Sequence, residues 1–435
     1  MITKNSEITP KADGRHVKLA GFVQHYRDLG GLAFIKLRDS TGIAQLVLKK
    51  GITPDSEFKK MEEIPRESVI IATGTVRKSK QAGAEVIVEE IINMNPAKTP
   101  LAIEFMGKVE TDLSKRLDYR WLDLRNPKNL LVFSVSNTIE QSFRQFMLEK
   151  GFMEIHTPKL MASPSESGAE LFEVTYFKKK AYLAQSPQFY KQMAIASGFE
   201  RVFEFGQVYR AEESRTVKHT TEFLSFDMEK AWVESEEELM KLEEEIIVNA
   251  VNAVEKAHSE KIKELLGREI KTPKTPFPRI KVKEAVEKVA PHLLEADEFS
   301  ELDSEGEKKL GEYIKQKHDQ DFVFLTHFPY AVRPFYHMKR EEDPTLTKSY
   351  DLLYKGMEIT TGAQREHRPD VLRKQAKEKG LTEKGLGKYL EFFEYGCPPH
   401  GGWGFGVARF VMQLLGLPNV REANLVPRDP DRLLP

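Results

Sequence analysis

The stretch Gly401-Gly402-Trp403-Gly404-Phe405-Gly406-Val407-Ala408-Arg409 decides how the rest of the chain is read. Glycines this dense suit a strand that passes close beneath a flat ligand, where a Cβ would collide. The apolar residues that follow, Phe410, Val411, Leu414 and Leu415, predict a buried helix closed by Gly416. Arg409 then stands at a strand-to-helix junction and faces open space. Such strands are common, so the segments upstream decide its meaning.

One of them runs Phe203-Glu204-Phe205-Gly206-Gln207-Val208-Tyr209-Arg210-Ala211-Glu212-Glu213, then a polar loop to His219, then Thr220 to Glu229. It reads as strand, loop, strand. Arg210 and Glu212 are two apart and on a strand leave the same face, as do Phe223, Ser225, Asp227 and Glu229 on the return. A sheet surface offering an arginine, carboxylates and an aromatic suits a nucleotide. A hairpin with surface ion pairs fits the same residues. Further upstream, Ile139, Phe143, Phe146 and Met147 predict a helix ended by Gly151, and Phe152 to Pro158 reads as extended.

The first hundred residues alternate differently. Val17–Val23, Leu32–Leu37, Ile43–Leu48, Val69–Val76 and Glu85–Ile92 are short β-type runs separated by turn signals such as Gly30-Gly31. Five strands in so short a span predict a small OB-type barrel. The expected organisation is therefore a barrel over 1–100, a hinge over 101–132, and an α+β domain over 133–435 built on an antiparallel sheet flanked by helices. Residues 235–270 are acidic and helical, and their two glutamate triplets are read as a solvated face.

Composition narrows the class. The 435 residues carry a net charge of −1, with 31% charged and 40% hydrophobic residues, as in a globular, non-membrane protein. The first hundred residues hold 16 Lys and Arg against 12 Asp and Glu, a surplus of four that is compatible with phosphate contacts. Cys397 is the one cysteine, which excludes an internal disulfide and a multi-cysteine zinc site. The N-terminus has no signal-peptide core, and the cytoplasm is the expected compartment.

Taken together the three segments resemble motifs 1, 2 and 3 of the class II aminoacyl-tRNA synthetases. Gly151–Pro158 resembles motif 1, Tyr209-Arg210-Ala211-Glu212 with His219 and Glu222-Phe223 motif 2, and Gly404 to Arg409 motif 3. Their order and the OB-like front end match subclass IIb. Within it, Gln185-Ser186-Pro187-Gln188-Phe189-Tyr190-Lys191-Gln192 and Gly362-Ala363-Gln364-Arg365 resemble aspartyl-tRNA synthetases of the archaeal and eukaryotic type. Ser186 is a helix cap with Pro187 at the first position, and Gln188 and Lys191 share a face. Read alone, Lys191 is an ordinary surface lysine.

The resemblance implies formation of aspartyl-adenylate from L-aspartate and ATP, then transfer to tRNA(Asp), with tRNA(Asn) an open second acceptor. It implies that Lys191 and Arg365 clamp the substrate's side-chain carboxylate. Two converging cations reject asparagine, because its amide leaves them uncompensated. Ser186, Gln188, Asp227 and Glu166 complete the aspartate site, Glu166 on a mobile loop and facing the ammonium. For ATP it implies Arg210 on the α-phosphate, Arg409 on the far phosphates and one face of adenine, Phe223 on the other face, Glu212 on the adenine amino group, and His219 near pyrophosphate. Asp351, Glu358 and Thr361 are the implied Mg²⁺ ligands, although an acidic pair is as readily structural. Arg27, Phe34 and Gln45 would meet the anticodon, with Phe34 equally at home in a core. Motif 1 implies a homodimer.

Three departures stand out: Ala408 where the family has glutamate, Lys218 where it has arginine, and Phe405 for a smaller aliphatic. They keep a non-catalytic tRNA-binding paralogue open beside the ligase. An asparagine-charging relative and an amino-acid-forming ligase stay open too, disfavoured by Lys191 with Asp227 and by the barrel respectively. Gln24 lies near the determinant of tRNA breadth and fits neither expected pattern.

Overall fold

The computed structural model describes residues 1–106, 111–162, 170–213, 216–294 and 302–434. The chain forms two compact units, Met1–Glu110 and Thr111–Pro435.

In the first unit five strands, β1 (His16–Asp28), β2 (Leu32–Arg38), β3 (Ile43–Lys49), β4 (Val69–Ser79) and β5 (Gly83–Asn95), close into a barrel in the order β1-β2-β3-β5-β4. Period-two alternation fills it: Ala33, Ile35 and Leu37 of β2 point inward with Leu46, Leu48 and Val86, all buried. A bulge interrupts the β1–β2 ladder between Val23 and His25, and Gln24 is the inserted residue. Helix α1 (Asp55–Glu63), absent from the sequence reading, joins β3 to β4 along the chain and packs against β5. It seats Met61 in the barrel core, and Glu57 Oε2 accepts from Ile91 N at 2.8 Å.

The break between units falls at 110/111, not over an extended hinge. Residues inside the expected 101–132 linker fold as α2 (Leu113–Asp118) and α3 (Arg120–Asp123). The Arg120 guanidinium is buried and ties α3 to the end of the chain, donating to Asp123 and to the carbonyls of Glu422, Asn424 and Leu425. Helix α4 (Pro127–Glu149) also starts earlier than its apolar period suggests. Asn126 caps it, its side chain accepting from Lys128 N at 2.9 Å.

After α4 come β6 (Met153–Glu154), β7 (Leu160–Met161), β8 (Glu173–Tyr176), β9 (Lys179–Leu183), α5 (Gln188–Ala196), β10 (Arg201–Tyr209), β11 (Glu222–Ala231) and α6 (Glu236–Leu266). Then follow β12 (Arg279–Lys281), α7 (Val282–Val289), α8 (Ser304–His318), β13 (Phe322–Thr326), β14 (Ser349–Tyr354) and β15 (Glu358–Gln364). Last are α9 (Pro369–Glu378), α10 (Glu383–Glu394), β16 (His400–Gly406) and α11 (Val407–Leu415). Eight strands make one sheet in the order β12-β13-β14-β15-β16-β11-β10-β6, antiparallel except for the end pairs β12–β13 and β10–β6. Strands β7, β9 and β8 form a small separate sheet.

The large sheet has two unlike faces. On one, α4, α6 and α11 pack over Phe203, Phe226, Met228, Trp403 and Phe405. Phe143 of α4 lies 5.0 Å from the Phe226 ring and 5.2 Å from that of Phe405, so the bulky Phe405 is a core residue. The opposite face carries the intervening residues Ser225, Asp227, Glu229, Gly402, Gly404 and Gly406.

The acidic helix corrects one expectation. Glu238 does pair with Lys230 near the surface, but Glu243 and Glu244 are buried. Glu244 accepts from Phe277 N at 2.6 Å and pairs with Arg279, anchoring the segment that enters β12. Glu243 is enclosed beside Tyr350 and Thr360, and burial pushes its pKa up to about 8.

Candidate active site

Register between β11 and β16 builds the floor of the site. Gly406 stands opposite Ser225, Gly404 opposite Asp227 and Gly402 opposite Glu229. A Cβ on Gly402 would lie 2.0 Å from the Met228 carbonyl oxygen and 2.5 Å from Glu229 Oε2. One on Gly404 would lie 3.1 Å from Asp227 Oδ1. Gly402 thus makes room for the neighbouring carboxylate and backbone rather than for a flat ligand. Gly404 and Gly406 both border the cavity, and the nearest neighbour of a Cβ on Gly406 would be 3.5 Å away.

Above this floor lies a cavity of about 290 Å³, at the lower limit for a small-molecule site. Its closed end is a group of buried charges. Lys191, in the first turns of α5, donates from Nζ to Asp227 Oδ1 at 3.0 Å and to the Trp403 carbonyl at 2.9 Å, with Glu229 Oε2 at 3.5 Å. It is 3% exposed, far from the surface lysine its sequence context suggests. Arg365, just past β15, donates from Nε to Glu229 Oε1 at 3.0 Å and from Nη2 to the Gly402 carbonyl at 3.0 Å. Burial works against the charge of Glu229, but Arg365 and Lys191 outweigh it and hold the carboxyl below its ordinary range. His337 Nε2 lies 3.0 Å from Arg365 Nη1. Burial, with Arg365 and Arg333 nearby, holds that imidazole neutral, so it accepts from the guanidinium without cancelling its charge.

Ser186 and Gln188 enter the same end. Ser186 Oγ accepts from Gln188 N at 3.3 Å, and Gln188 Nε2 donates to Gln192 Oε1 at 2.9 Å. Ser225 Oγ donates to Asp227 Oδ2 at 2.5 Å. Five of the six residues expected around aspartate therefore border one cavity. The sixth, Glu166, lies outside the described residues.

The other end is cationic. Arg210 and Glu212 lie beyond the end of β10, in the loop rather than on the strand, yet both still line the cavity. The Arg210 guanidinium sits 5.7 Å from the Phe223 ring centroid. Arg409 opens α11 and donates from Nε to the Lys218 carbonyl and from Nη1 to the Glu358 carbonyl, both at 3.1 Å. His219 lies 3.6 Å from Glu212 and within 2.6 Å of Thr216 Oγ1. Burial first, then Arg409 and Lys218, lower its pKa to about 4, so it is neutral at pH 7. Ala408 lines the wall between Arg409 and the floor.

Of the three expected metal ligands, Glu358 and Thr361 face the cavity, with Thr361 Oγ1 3.4 Å from Glu358 Oε1. Burial favours the neutral acid at Glu358, but Arg409, Arg333 and Arg210 keep it ionised. Asp351 stands opposite Thr361 in the β14–β15 register but is engaged by Arg333, Nη2 to Oδ2 at 2.5 Å, and does not border the cavity. Among the described residues no group of three or more His, Cys, Asp or Glu converges as a metal cage. Glu358 and Thr361 supply hard oxygens, which fits Mg²⁺ that takes its remaining ligands from phosphate and water.

Several site residues escape sequence reading. Arg333 and His337 come from an irregular segment between β13 and β14, and no spacing marks them. Glu229 was legible as sharing a face with Asp227, though not as the partner of Arg365. In the barrel, Arg27 stands opposite Phe34 in the β1–β2 register, and Gln45 opposite Lys36 in β2–β3. Phe34 is half-buried on the outer face, and Gln45 donates to Glu85 at 2.9 Å.

Comparison with known families and proteins agrees with this geometry. Residues 112–430 match the family described as tRNA synthetases class II (D, K and N), and residues 17–94 match the OB-fold nucleic acid binding domain. The chain belongs to the class II tRNA synthetases. This synthetase is 44% identical, over 99% of its length and 98% of the relative's, to aspartate–tRNA(Asp/Asn) ligase of Methanopyrus kandleri. It is 43% identical to aspartate–tRNA(Asp) ligase of Pyrococcus abyssi, over 99% of both chains. Among solved structures, asparaginyl-tRNA synthetase of Pyrococcus horikoshii with asparaginyl-adenylate superposes at a TM-score of 0.92 with 33% identity, covering 100% of both chains. Aspartyl-tRNA synthetase of Entamoeba histolytica gives 0.89 with 34% identity, covering 100% of this chain and 93% of the other. No described helix is long and apolar enough to cross a membrane.

Proposed function

We propose that this synthetase is an aspartate–tRNA ligase. The observation that carries the reading is the pair of buried cations, Lys191 and Arg365, at the closed end of the cavity. A substrate carboxylate placed there meets two fixed cationic donors with two acceptor oxygens, whereas an amide of the same shape is uncharged and turns an N–H group toward donors.

The α-carboxylate of aspartate attacks the α-phosphorus of ATP, forming aspartyl-adenylate and releasing pyrophosphate. The terminal ribose hydroxyl of tRNA then attacks the acyl carbon, and AMP leaves. Neither step needs a nucleophile from the protein; alignment and charge stabilisation supply the rate. Arg210 holds the α-phosphate, Arg409 the far phosphates, and Phe223 one face of adenine. Glu212 reads the adenine amino group, and neutral His219 donates a hydrogen bond toward pyrophosphate. Glu358 and Thr361 would hold Mg²⁺, which neutralises phosphate charge when bound. Arg27, Phe34 and Gln45 meet the anticodon.

A homodimer is supported by Leu130, Leu148, Met153 and Leu160, which expose their side chains around α4 and the motif 1 segment. The deciding experiment is ATP–pyrophosphate exchange with aspartate and asparagine in parallel, followed by charging of tRNA(Asp) and tRNA(Asn). Exchange with aspartate alone is expected. Exchange with asparagine instead would overturn the reading, and no exchange with either would leave the tRNA-binding paralogue. Charging of one or both tRNAs then sets the breadth.

A further inference from the structure

One carboxylate at the cationic end comes from an element not yet placed in the site. Glu307, in the first turn of α8, puts Oε2 3.0 Å from Lys218 Nζ. Both side chains are largely buried, at 12% and 16% exposed. Lys218 is also the residue whose carbonyl accepts from Arg409 Nε, and it directly precedes His219. The 216–219 turn is therefore held from two sides, by Arg409 through its backbone and by Glu307 through its lysine.

Helix α8 is itself fixed against the β14–β15 turn. A Cβ on Gly311 would come within 2.5 Å of Gly356 N, and one on Gly356 within 2.8 Å of the Glu307 carbonyl oxygen. Gly356 has a φ of +72° and lies two residues before Glu358. That close approach locks the backbone bearing Glu307 to the backbone leading into Glu358. Burial pushes the Glu307 carboxyl upward, and Lys218 pulls it back.

We propose that Glu307 is a positioning residue for nucleotide binding: it anchors Lys218, and through the 216–219 turn it sets the placement of Arg409 and His219. The proposal rests on the ligase reading above. A purely structural ion pair would stabilise α8 without favouring one substrate over the other. Under the proposal, loss of the carboxylate is felt by ATP and not by aspartate, whose cations sit at the opposite end of the cavity.

The test is ATP–pyrophosphate exchange on the full-length protein, Glu307→Gln and Glu307→Asp, with thermal midpoints measured alongside. Glu307→Gln is expected to raise KM for ATP about tenfold, the worth of one charge-assisted hydrogen bond. KM for aspartate is expected to stay within twofold, with partial recovery in Glu307→Asp. Lys218→Met combined with Glu307→Gln should match Lys218→Met alone, because the carboxylate acts only through that lysine. An unchanged or lowered KM for ATP overturns the proposal, as does a parallel rise for both substrates or multiplicative losses in the double variant. The unsubstituted protein separates the two ideas: no exchange there defeats the ligase reading, while normal exchange with an unaffected Glu307→Gln defeats only the role of Glu307.

Discussion

Replacing Gly402 by alanine tests the floor of the site most severely. The added methyl would stand 2.0 Å from the Met228 carbonyl oxygen, about 1.4 Å short of ordinary van der Waals contact. Met228 is on β11, next to the Glu229 that faces Gly402 across the ladder, so relief requires β11 and β16 to part, breaking hydrogen bonds between them. Overpacking of this kind costs about 1–3 kcal/mol, and each lost backbone hydrogen bond adds about 1 kcal/mol. Displacement of Glu229, 2.5 Å from the same methyl, also loosens its contact with Arg365. A total of about 3–5 kcal/mol is expected, lowering the thermal midpoint of the second unit by about 4–7 °C. Gly404→Ala should cost about 1 kcal/mol, since only the Asp227 carboxylate end must yield. Gly406→Ala, with φ −82° and nothing nearer than 3.5 Å, should leave stability within about 0.5 kcal/mol. The assay is differential scanning calorimetry of the three single variants. Midpoints for Gly402→Ala and Gly406→Ala within 2 °C of each other would refute the steric reasoning.

Other expectations concern charge and the barrel. Lys191→Met should raise KM for aspartate at least about a hundredfold, about 2.7 kcal/mol, with a far smaller change for ATP; equal changes in exchange kinetics would remove Lys191 from the aspartate site. Folded, Glu243 keeps its proton to about pH 8, whereas its ordinary value is 4.5. Between those values the folded state binds more protons, so this group's contribution to stability is lost as pH rises. Glu243→Gln should therefore stabilise the protein increasingly from pH 5 to 8, by up to about 1.4 kcal/mol per pH unit, and a pH-independent difference in urea midpoints would contradict the assignment. Phe34→Ala should weaken tRNA affinity about tenfold in filter binding, as loss of one stacked base predicts; an affinity within twofold of the parent places the ring outside the interface.

Much of this architecture is legible in the sequence because it is written in periods and in neighbours along the chain. The five barrel strands follow period-two alternation, and α4 and α11 follow apolar stripes ended by Gly151 and Gly416. What escaped lies in contacts between distant segments. Helix α1 is short, and its inward Met61 shares a run with charged residues. Glu243 and Glu244 look solvent-facing until α6 is laid against β12 and β14, where Arg279, Tyr350 and the Phe277 amide meet them. Arg210 and Glu212 border the cavity from a loop and not from the strand face that the two-residue spacing suggests. Arg333, His337 and Glu307 have no local signature, because their roles are defined by partners many residues away.

Strand β16 also limits how the pocket can vary. One side is spent on Trp403 and Phe405 in the core; the other is held to bare backbone by the spacing of β11. Apart from Gly406, neither side leaves a position where a new side chain can reach the ligand without disturbing the sheet. Differences in amino-acid choice between this protein and relatives of the same shape are therefore carried mainly by the other walls: α5, the inner face of β11 and the end of β15. The glycine strand acts as a fixed datum against which those walls are measured.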